Sequence, residues 1–445
     1  MRSIGRAAVA AAMAVALLLV GALVLVRGPG GPAQQPSSPA IPASGALLVP
    51  AASTGSLEST ISALQTRLRV NPNDWRGYAS LGLAYLTQAR VTADPSWYPK
   101  AEGVLRESLR LRGEGNLDAQ LGLGALALAR HDFETALDRG RAAEAVNPYN
   151  ANVYGVIGDA LLELGRYEEA VDAFQTMIDT RPGIPSYARA SYARELLGDV
   201  PGAIDAMGLA LDAAGSPSDG AWAAYQLGEL EFGRGAVGEA ETWYEQGLRL
   251  DPSYAPNLAG LARVAWASGE PDLAIERYRD AVMRYPSVEY VAVLGDLYAT
   301  IGRDDLAEQQ YAVVDATRAL AQANGVNVDL EIALFDADHG DPESALAAAE
   351  AEWARRQSVH VADAYAWALY ANGRYAEAAR VSKRALELGT RNAAFLFHAG
   401  MIELARGRDE AARGLLRRAV AINPNFSILY ARTAQLVLAE LEATP

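Results

Sequence analysis

A turn residue followed five positions later by alanine recurs nine times along this chain, at a spacing close to 34. The pairs are His131 with Ala136, Gly165 with Ala170, Gly198 with Ala203, Gly235 with Ala240, Gly269 with Ala274, Gly302 with Ala307, Gly340 with Ala345, Gly373 with Ala378 and Gly407 with Ala412. Eight of the nine turn residues are glycine. Glycine tolerates the left-handed backbone that ends one helix and opens an antiparallel neighbour, and alanine lets the two helices approach closely. A fixed period of this kind means repeated helical hairpins, each burying its apolar face against the next, so the chain is expected to be a solenoid.

Other positions keep the same period. In one unit Tyr154, Ile157, Gly158 and Leu161 mark a first helix, Gly165 the turn, Ala170, Phe174 and Met177 a second helix, and Pro182 the exit. Leu227, Gly228, Ala240, Tyr244 and Pro252 repeat the pattern, as do Leu261, Ala274, Tyr278, Ala281 and Pro286, and Gly400, Ala412, Ala419 and Pro424. Proline cannot continue a helix and biases the residue before it toward extended backbone; Asn147, Arg181, Asp251, Tyr285 and Asn423 occupy that position. These residues resemble the tetratricopeptide repeat, of a membrane-anchored bacterial type. The resemblance implies an all-α fold, a right-handed superhelical α-solenoid of about ten helix-turn-helix repeats.

Units are expected to start near Asn73, Leu117, Ala151, Ile184, Ala221, Ala255, Val288, Val326, Val359 and Ala393. Departures from the pattern are an insertion around Val91 to Pro99, Ser191 where glycine or alanine usually sits, and connectors near Gly215 to Gly220 and Leu320 to Gly325. A lone helix over Leu57 to Val70 precedes the array, and Ser427 to Leu441 follows as a capping C-terminal helix. Residues 56–445 read as one domain, because a repeat array is a continuous sum of neighbour contacts.

Ala7 to Val26 are twenty uncharged residues, flanked by Arg2, Arg6 and Arg27. A helix of that length rises about 30 Å, enough for a bilayer core, and is read as a transmembrane helix or signal anchor. A cleaved secretory signal is the alternative, followed by secretion. The positive-inside rule places a cytoplasmic tail at 1–6 and the repeats in the periplasm or outside the cell, making a single-pass membrane protein. Residues 27–55, with Pro29, Pro32, Pro36, Pro39, Pro42 and Pro50 among Gly, Ser and Gln, read as an extended tether.

Chemistry-bearing motifs are sparse. Cysteine is absent, which excludes thiol catalysis, thiolate metal sites and disulfides. The four histidines, His131, His339, His360 and His398, fall in different units and lack the spacing of a helical metal pair, so no metal, cofactor or catalytic residue is assigned. Gly233, Gly235 and Gly238 spell GxGxxG with Asp251 downstream, but the pattern follows a repeat helix rather than a strand, and Gly235 is already a hairpin turn.

The family resemblance implies that first helices line the concave side. Carried over position by position, it gives Asp159, Tyr225, Glu229, Phe232, Arg263, Trp266, Asp296, Asp363, Trp367, Tyr370 and Phe397 as a groove rich in aromatics and carboxylates. Aromatic anchors beside oriented polar groups suit a peptide or protein partner, though aromatics at helical spacing equally serve as core. With only Lys100 and Lys383, a lysine clamp on a carboxylate terminus is not expected. The net charge of −15, from 54 acidic and 39 basic residues, speaks against nucleic acid and keeps a large array dispersed. The expected function is a non-enzymatic interaction scaffold anchored in the membrane. An assembly factor presenting precursor polypeptides to a membrane machine, similar in layout to cytochrome c maturation repeat subunits, is the alternative.

Overall fold

The computed structural model of the protein describes residues 57–443. Among them are 22 α-helices and no strand. Helix α1 (Leu57–Val70) precedes ten hairpins. The first five are α2 (Trp75–Thr92) with α3 (Trp97–Leu111), α4 (Leu117–Ala129) with α5 (Phe133–Val146), α6 (Ala151–Glu163) with α7 (Tyr167–Thr180), α8 (Ile184–Leu196) with α9 (Val200–Asp212), and α10 (Pro217–Gly233) with α11 (Val237–Leu250). The second five are α12 (Ala255–Ala267) with α13 (Pro271–Arg284), α14 (Val288–Thr300) with α15 (Asp304–Ala323), α16 (Asp329–His339) with α17 (Pro342–Arg355), α18 (Val359–Ala371) with α19 (Tyr375–Ala385), and α20 (Ala393–Ala405) with α21 (Asp409–Ile422). Helix α22 (Ala431–Ala443) closes the array, four residues later than the expected start at Ser427. Ser427 instead closes the turn that leads into that helix, its hydroxyl accepting from the Tyr430 N–H at 3.1 Å.

All nine turn residues of the ladder have left-handed backbone, with φ from 57° at His131 to 89° at Gly340. His131 bears that conformation without being glycine and is compensated locally: its Nδ1 lies 2.7 Å from the Asn327 carbonyl, which can only accept, so the ring proton sits on Nδ1. Inside the hairpins, close approach takes over from backbone freedom. A Cβ on Gly228 would fall 2.3 Å from the ring of Tyr244, and one on Gly260 2.5 Å from the same ring, so Tyr244 is held between the first helices of units five and six. Ser191 replaces the usual small apolar residue because its buried hydroxyl donates to the Ala203 carbonyl at 2.8 Å, satisfying the polar atom inside the hairpin.

The irregular stretches become longer helices more often than loops. Val91 and Thr92 continue α2, which ends at left-handed Ala93, leaving a short link to α3. Pro217 starts α10 behind a Ser216 cap, since a first-turn proline loses no helical hydrogen bond. Leu320 to Ala323 extend α15 to 20 residues. Helical propensity in these alanine-rich stretches outweighs the connector reading.

Successive turns of the superhelix touch each other. The Arg130 carbonyl accepts from the Asn327 N–H at 3.0 Å. The Val359 N–H donates to the Tyr167 hydroxyl at 2.8 Å, the Thr390 hydroxyl to the Leu196 carbonyl at 2.5 Å, and the Asn423 amide to the Phe232 carbonyl at 2.8 Å. Arg356 pairs with Glu163. The side-chain rungs join residues 191 to 196 apart, between five and six units of 34. In each, the hairpin turn of an early unit meets the connector that begins or ends a late one.

No helix of the described residues is long and apolar enough to cross a membrane. That finding corrects the expected localisation as a single-pass membrane protein with its repeats in the periplasm or outside the cell. The segment 7–26 on which it rested, with the tail 1–6 and the tether 27–55, lies outside the described residues.

The turns also separate strain from space. Gly373 has open surroundings, so Gly373→Ala is expected to cost only the left-handed penalty of about 1–2 kcal/mol. Gly198→Ala adds a Cβ 2.6 Å from the Gly389 carbonyl oxygen and should lower the urea midpoint, followed by circular dichroism, by clearly more. Equal losses would show that the contact between superhelical turns does not restrict Gly198.

Candidate functional site

On the first helices, which the family resemblance places along an inner wall, the structure brings the expected groove carboxylates onto bases of the next unit. Asp159 of α6 accepts a two-pronged contact from Arg189 of α8, with Nε at 2.8 Å and Nη2 at 2.7 Å. Glu229 of α10 accepts from the Tyr244 hydroxyl at 2.7 Å and pairs with Arg263 of α12. Asp296 of α14 accepts from the Tyr311 hydroxyl at 3.0 Å and from His339 Nε2 of α16 at 2.9 Å. Asp363 of α18 lies 2.9 Å from His398 Nδ1 of α20. Each pair joins an odd unit to the even one after it, so the inner wall carries four acid–base rungs from units three to ten.

Of the eleven expected groove residues, several are enclosed. Trp367 stacks on Tyr370 at 4.6 Å between ring centres and on His398 at 4.2 Å, and its indole N–H donates to Asp338 at 2.7 Å. Tyr430, just before α22, donates to the same Asp338 oxygen at 2.9 Å and stacks on Phe397 at 5.1 Å. Phe397 is 1% exposed, so this end of the wall is filled by the chain's own capping segment. Asp159, Tyr225, Phe232, Asp363 and Trp367 are likewise buried. Units five to seven are different. Glu229 and Arg263 each keep 28% of their side-chain surface, Trp266 and Asp296 are half-buried, and Glu289 is exposed. The Arg263 guanidinium lies over the Phe232 ring at 4.7 Å, a cation–π contact that fixes its direction.

This middle stretch is electrostatically one-sided. Burial, reinforced by the Glu229 carboxylate, pushes half-buried Glu195 up to about 7. Burial pushes the Asp159 carboxyl up to about 6, with Arg189 pulling it back. Among the described residues no group of three or more potential ligands could hold a metal ion. Gly233, Gly235 and Gly238 lie at the end of α10, in the turn and at the start of α11, with no strand before them.

The concave template omitted the basic partners Arg189, His339 and His398, because they sit outside its three positions. A signal was present: each lies 30 to 43 residues beyond its acid, roughly one repeat on. His339 offers both ring nitrogens to acceptors, Asp296 and the Phe335 carbonyl at 2.6 Å. Burial works against its charge, yet these partners outweigh it and its pKa rises. For His398 burial is again opposed by Asp363 and Asp338, and the direction is up.

An imidazole whose folded pKa exceeds its unfolded value holds its proton more tightly when folded. Its contribution is complete below the unfolded value of 6.5 and is lost as pH rises through the folded one. Asp159 has the same sign, since a folded value of about 6 against 3.8 favours its protonated form and the advantage fades between those values. The thermal midpoint is therefore expected to fall by a few degrees as pH rises from about 6 to about 8.5, with the His398→Gln variant showing a flatter profile. A midpoint that climbs over that range would mean His398 and His339 are held neutral.

A sequence model of the tetratricopeptide repeat matches residues 116–185, 156–218, 260–323 and 364–425, together just over half of the chain. The chain is 26% identical over 159 residues to the peroxisomal targeting signal receptor of Eremothecium gossypii, covering 30% of this chain and 27% of that protein. It is 35% identical over 75 residues to the receptor of that name in Candida albicans, covering 17% and 12%. The chain thus spans about a quarter or less of the length of these relatives. A solved tetratricopeptide repeat protein from Parabacteroides merdae is 16% identical, with 58% of this chain and 98% of that one covered at a TM-score of 0.34. Ten hairpins in sequence order, the left-handed turn ladder and the four matched segments lead to one conclusion: the chain belongs to the tetratricopeptide repeat family.

Proposed function

We propose that the chain is a protein–protein interaction scaffold, residues 56–445 acting as one domain, which takes an extended peptide segment against the inner wall of units five to seven. The observation that carries this reading is the contrast along the wall: units three, nine and ten bury Asp159, Asp363, Trp367 and Phe397, whereas Glu229, Arg263, Trp266 and Asp296 remain partly open. A large aromatic beside an oriented charged pair is the composition that anchors peptides, because the ring supplies apolar area and the pair supplies direction. The acidic bias from Glu195, Glu229 and Glu289 favours a segment carrying arginine or lysine. The name of the two fungal relatives describes a receptor for a targeting signal, which is also a recognition task, and supports the reading over the stretch they share with this chain. The constellation contains no nucleophile paired with a general base, so the reading is non-enzymatic.

Selection of the full chain against a displayed library of random peptides tests it. Retained peptides should be enriched in basic and aromatic residues, and Trp266→Ala should weaken their binding roughly tenfold or more, the usual effect of removing an interface anchor. Changing the outward Tyr149, 85% exposed and far along the chain, should leave binding unaltered. No peptide held above background, or equal affinity in the Trp266 variant, would remove the inner wall from consideration.

A further inference from the structure

A cavity of about 470 Å³ lies where the turn of unit four meets units nine and ten. Leu197 and Gly198 form one wall, Gly389, Thr390 and Arg391 the facing one, and the last turns of α21 close it with Arg418 and Ile422. The walls are fixed. The Thr390 hydroxyl donates to the Leu196 carbonyl, and a Cβ on Gly198 would stand 2.6 Å from the Gly389 carbonyl oxygen. Beneath them Leu196 of the early layer and Phe395 of the late one belong to one buried apolar core. The lining holds two arginines and no acidic residue, in a chain whose net charge is −15. Neither arginine has an ion-pair partner among the described residues. On α21, Arg413 donates to the Leu441 carbonyl at 2.9 Å and Arg417 pairs with Glu442 at 2.8 Å, both toward α22; Arg418, one position on, is turned away from that face. The stem of Arg391 crosses the turn of unit four, its Cγ 3.9 Å from where a Gly198 Cβ would stand. A second cavity, of about 480 Å³, shares Gly198 and Arg391 with the first and runs on past Pro201 and Ile204 of α9. There Glu231 already accepts from Arg234 at 2.5 Å, and Asp205 balances Arg391.

We propose that the joined cavities form a second peptide site, which takes an acidic segment with a carboxylate on Arg391 and Arg418 and a neighbouring apolar side chain against Leu197 and Ile422 or, further on, Pro201 and Ile204. Charge selects the ligand: two guanidinium groups without a carboxylate of their own offer paired N–H donors that match a carboxylate. Size selects a chain over a lone ion. A single oxyanion fills a small part of either cavity, whereas the two together follow an extended segment and give its apolar side chains a surface to cover. Because the shared core holds both walls in place, little ordering is needed before binding. The site lies in units four, nine and ten and uses neither Glu229, Arg263 nor Trp266, so it stands or falls separately from the proposed function.

The test uses the full chain carrying Trp266→Ala, so that the inner wall does not contribute, and a displayed library of random peptides. Retained peptides should combine aspartate or glutamate with leucine, isoleucine or valine. Fluorescence anisotropy with the strongest of them, made synthetically, should show affinity falling roughly tenfold in Arg391→Ala and again in Arg418→Ala, with Arg391→Lys intermediate because it keeps the charge and loses the fork. Both arginines are exposed, and Arg417→Ala, which removes an exposed charge on the same helix, should leave affinity unaltered. A measurement without variants accompanies these: phenylglyoxal, which modifies arginine, should label Arg391 and Arg418 several-fold more slowly when the peptide is bound. Inorganic phosphate alone, titrated by calorimetry, should give no saturable binding. The proposal is overturned if no acidic peptide is retained, if affinity is equal in the two alanine variants, or if protection falls on other arginines. Saturable phosphate binding lost in those variants would also overturn it, by reassigning the cavity to a small oxyanion.

Discussion

The left-handed turn at the centre of each hairpin is the constraint on which the remainder of this structure depends. A hairpin that reverses in so few residues brings its two helices to one distance and one angle, and the small residue five positions on lets that distance be short. Because the same turn recurs in every unit, each adds a similar rotation, and a stack of similar rotations must return over itself at a fixed interval. The interval here lies between five and six units, which is why contacts 191 to 196 residues apart form a row rather than a scatter. A local backbone preference is thereby converted into a global closure.

The inner wall shows what pairing between neighbouring units costs in functional surface. In an open groove Asp159, Asp363 and Trp367 would face a partner; in this chain Arg189, His398 and Tyr370 occupy their faces. Such buried pairs add little net stability, since desolvation offsets most of the attraction, yet removing one member leaves a charge with no solvent, a loss of about 3–5 kcal/mol. Their effect is specificity of stacking: acid on an odd unit and base on the next distinguish the correct neighbour from a slipped one. The middle units carry such pairs too, but Glu195 stands beside the Glu229 carboxylate with its own pKa pushed up to about 7 by burial and that neighbour, and this acidic bias is what singles them out.

Much of the fold was legible because the period is a property of backbone geometry and survives variation at every other position. Hairpin number, unit starts and turn positions follow from glycine, alanine and proline alone, and Leu57 to Val70 emerges as a helix with those bounds. The first, fifth and seventh units were read less well, since a longer helix and a polar connector share residues such as Ala221 and Leu320. The site was less legible still. A concave template selects one side chain at a time, whereas burial of Trp367 and Phe397 comes from Tyr430, some thirty to sixty residues onward, and pairing of Asp159 from a helix in the next unit. Nothing in the local pattern announces that layers will touch.

The same turn glycines reveal the asymmetry that closure imposes. Gly165, Gly198 and Gly235 have backbone of the second layer where a Cβ would stand, whereas Gly269, Gly302, Gly373 and Gly407 have open space there. All share the left-handed conformation, so the conformational demand is uniform along the chain while the steric demand exists only where a later layer arrives. His131 fits this division: the left-handed angle strains it, but its imidazole reaches across the gap that a glycine would leave and binds the Asn327 carbonyl. The one departure from glycine in the ladder thus falls among the turns that face a second layer, where a side chain can recover in contact what it loses in strain. Position in the stack, as well as position in the repeat, decides what a turn residue must be.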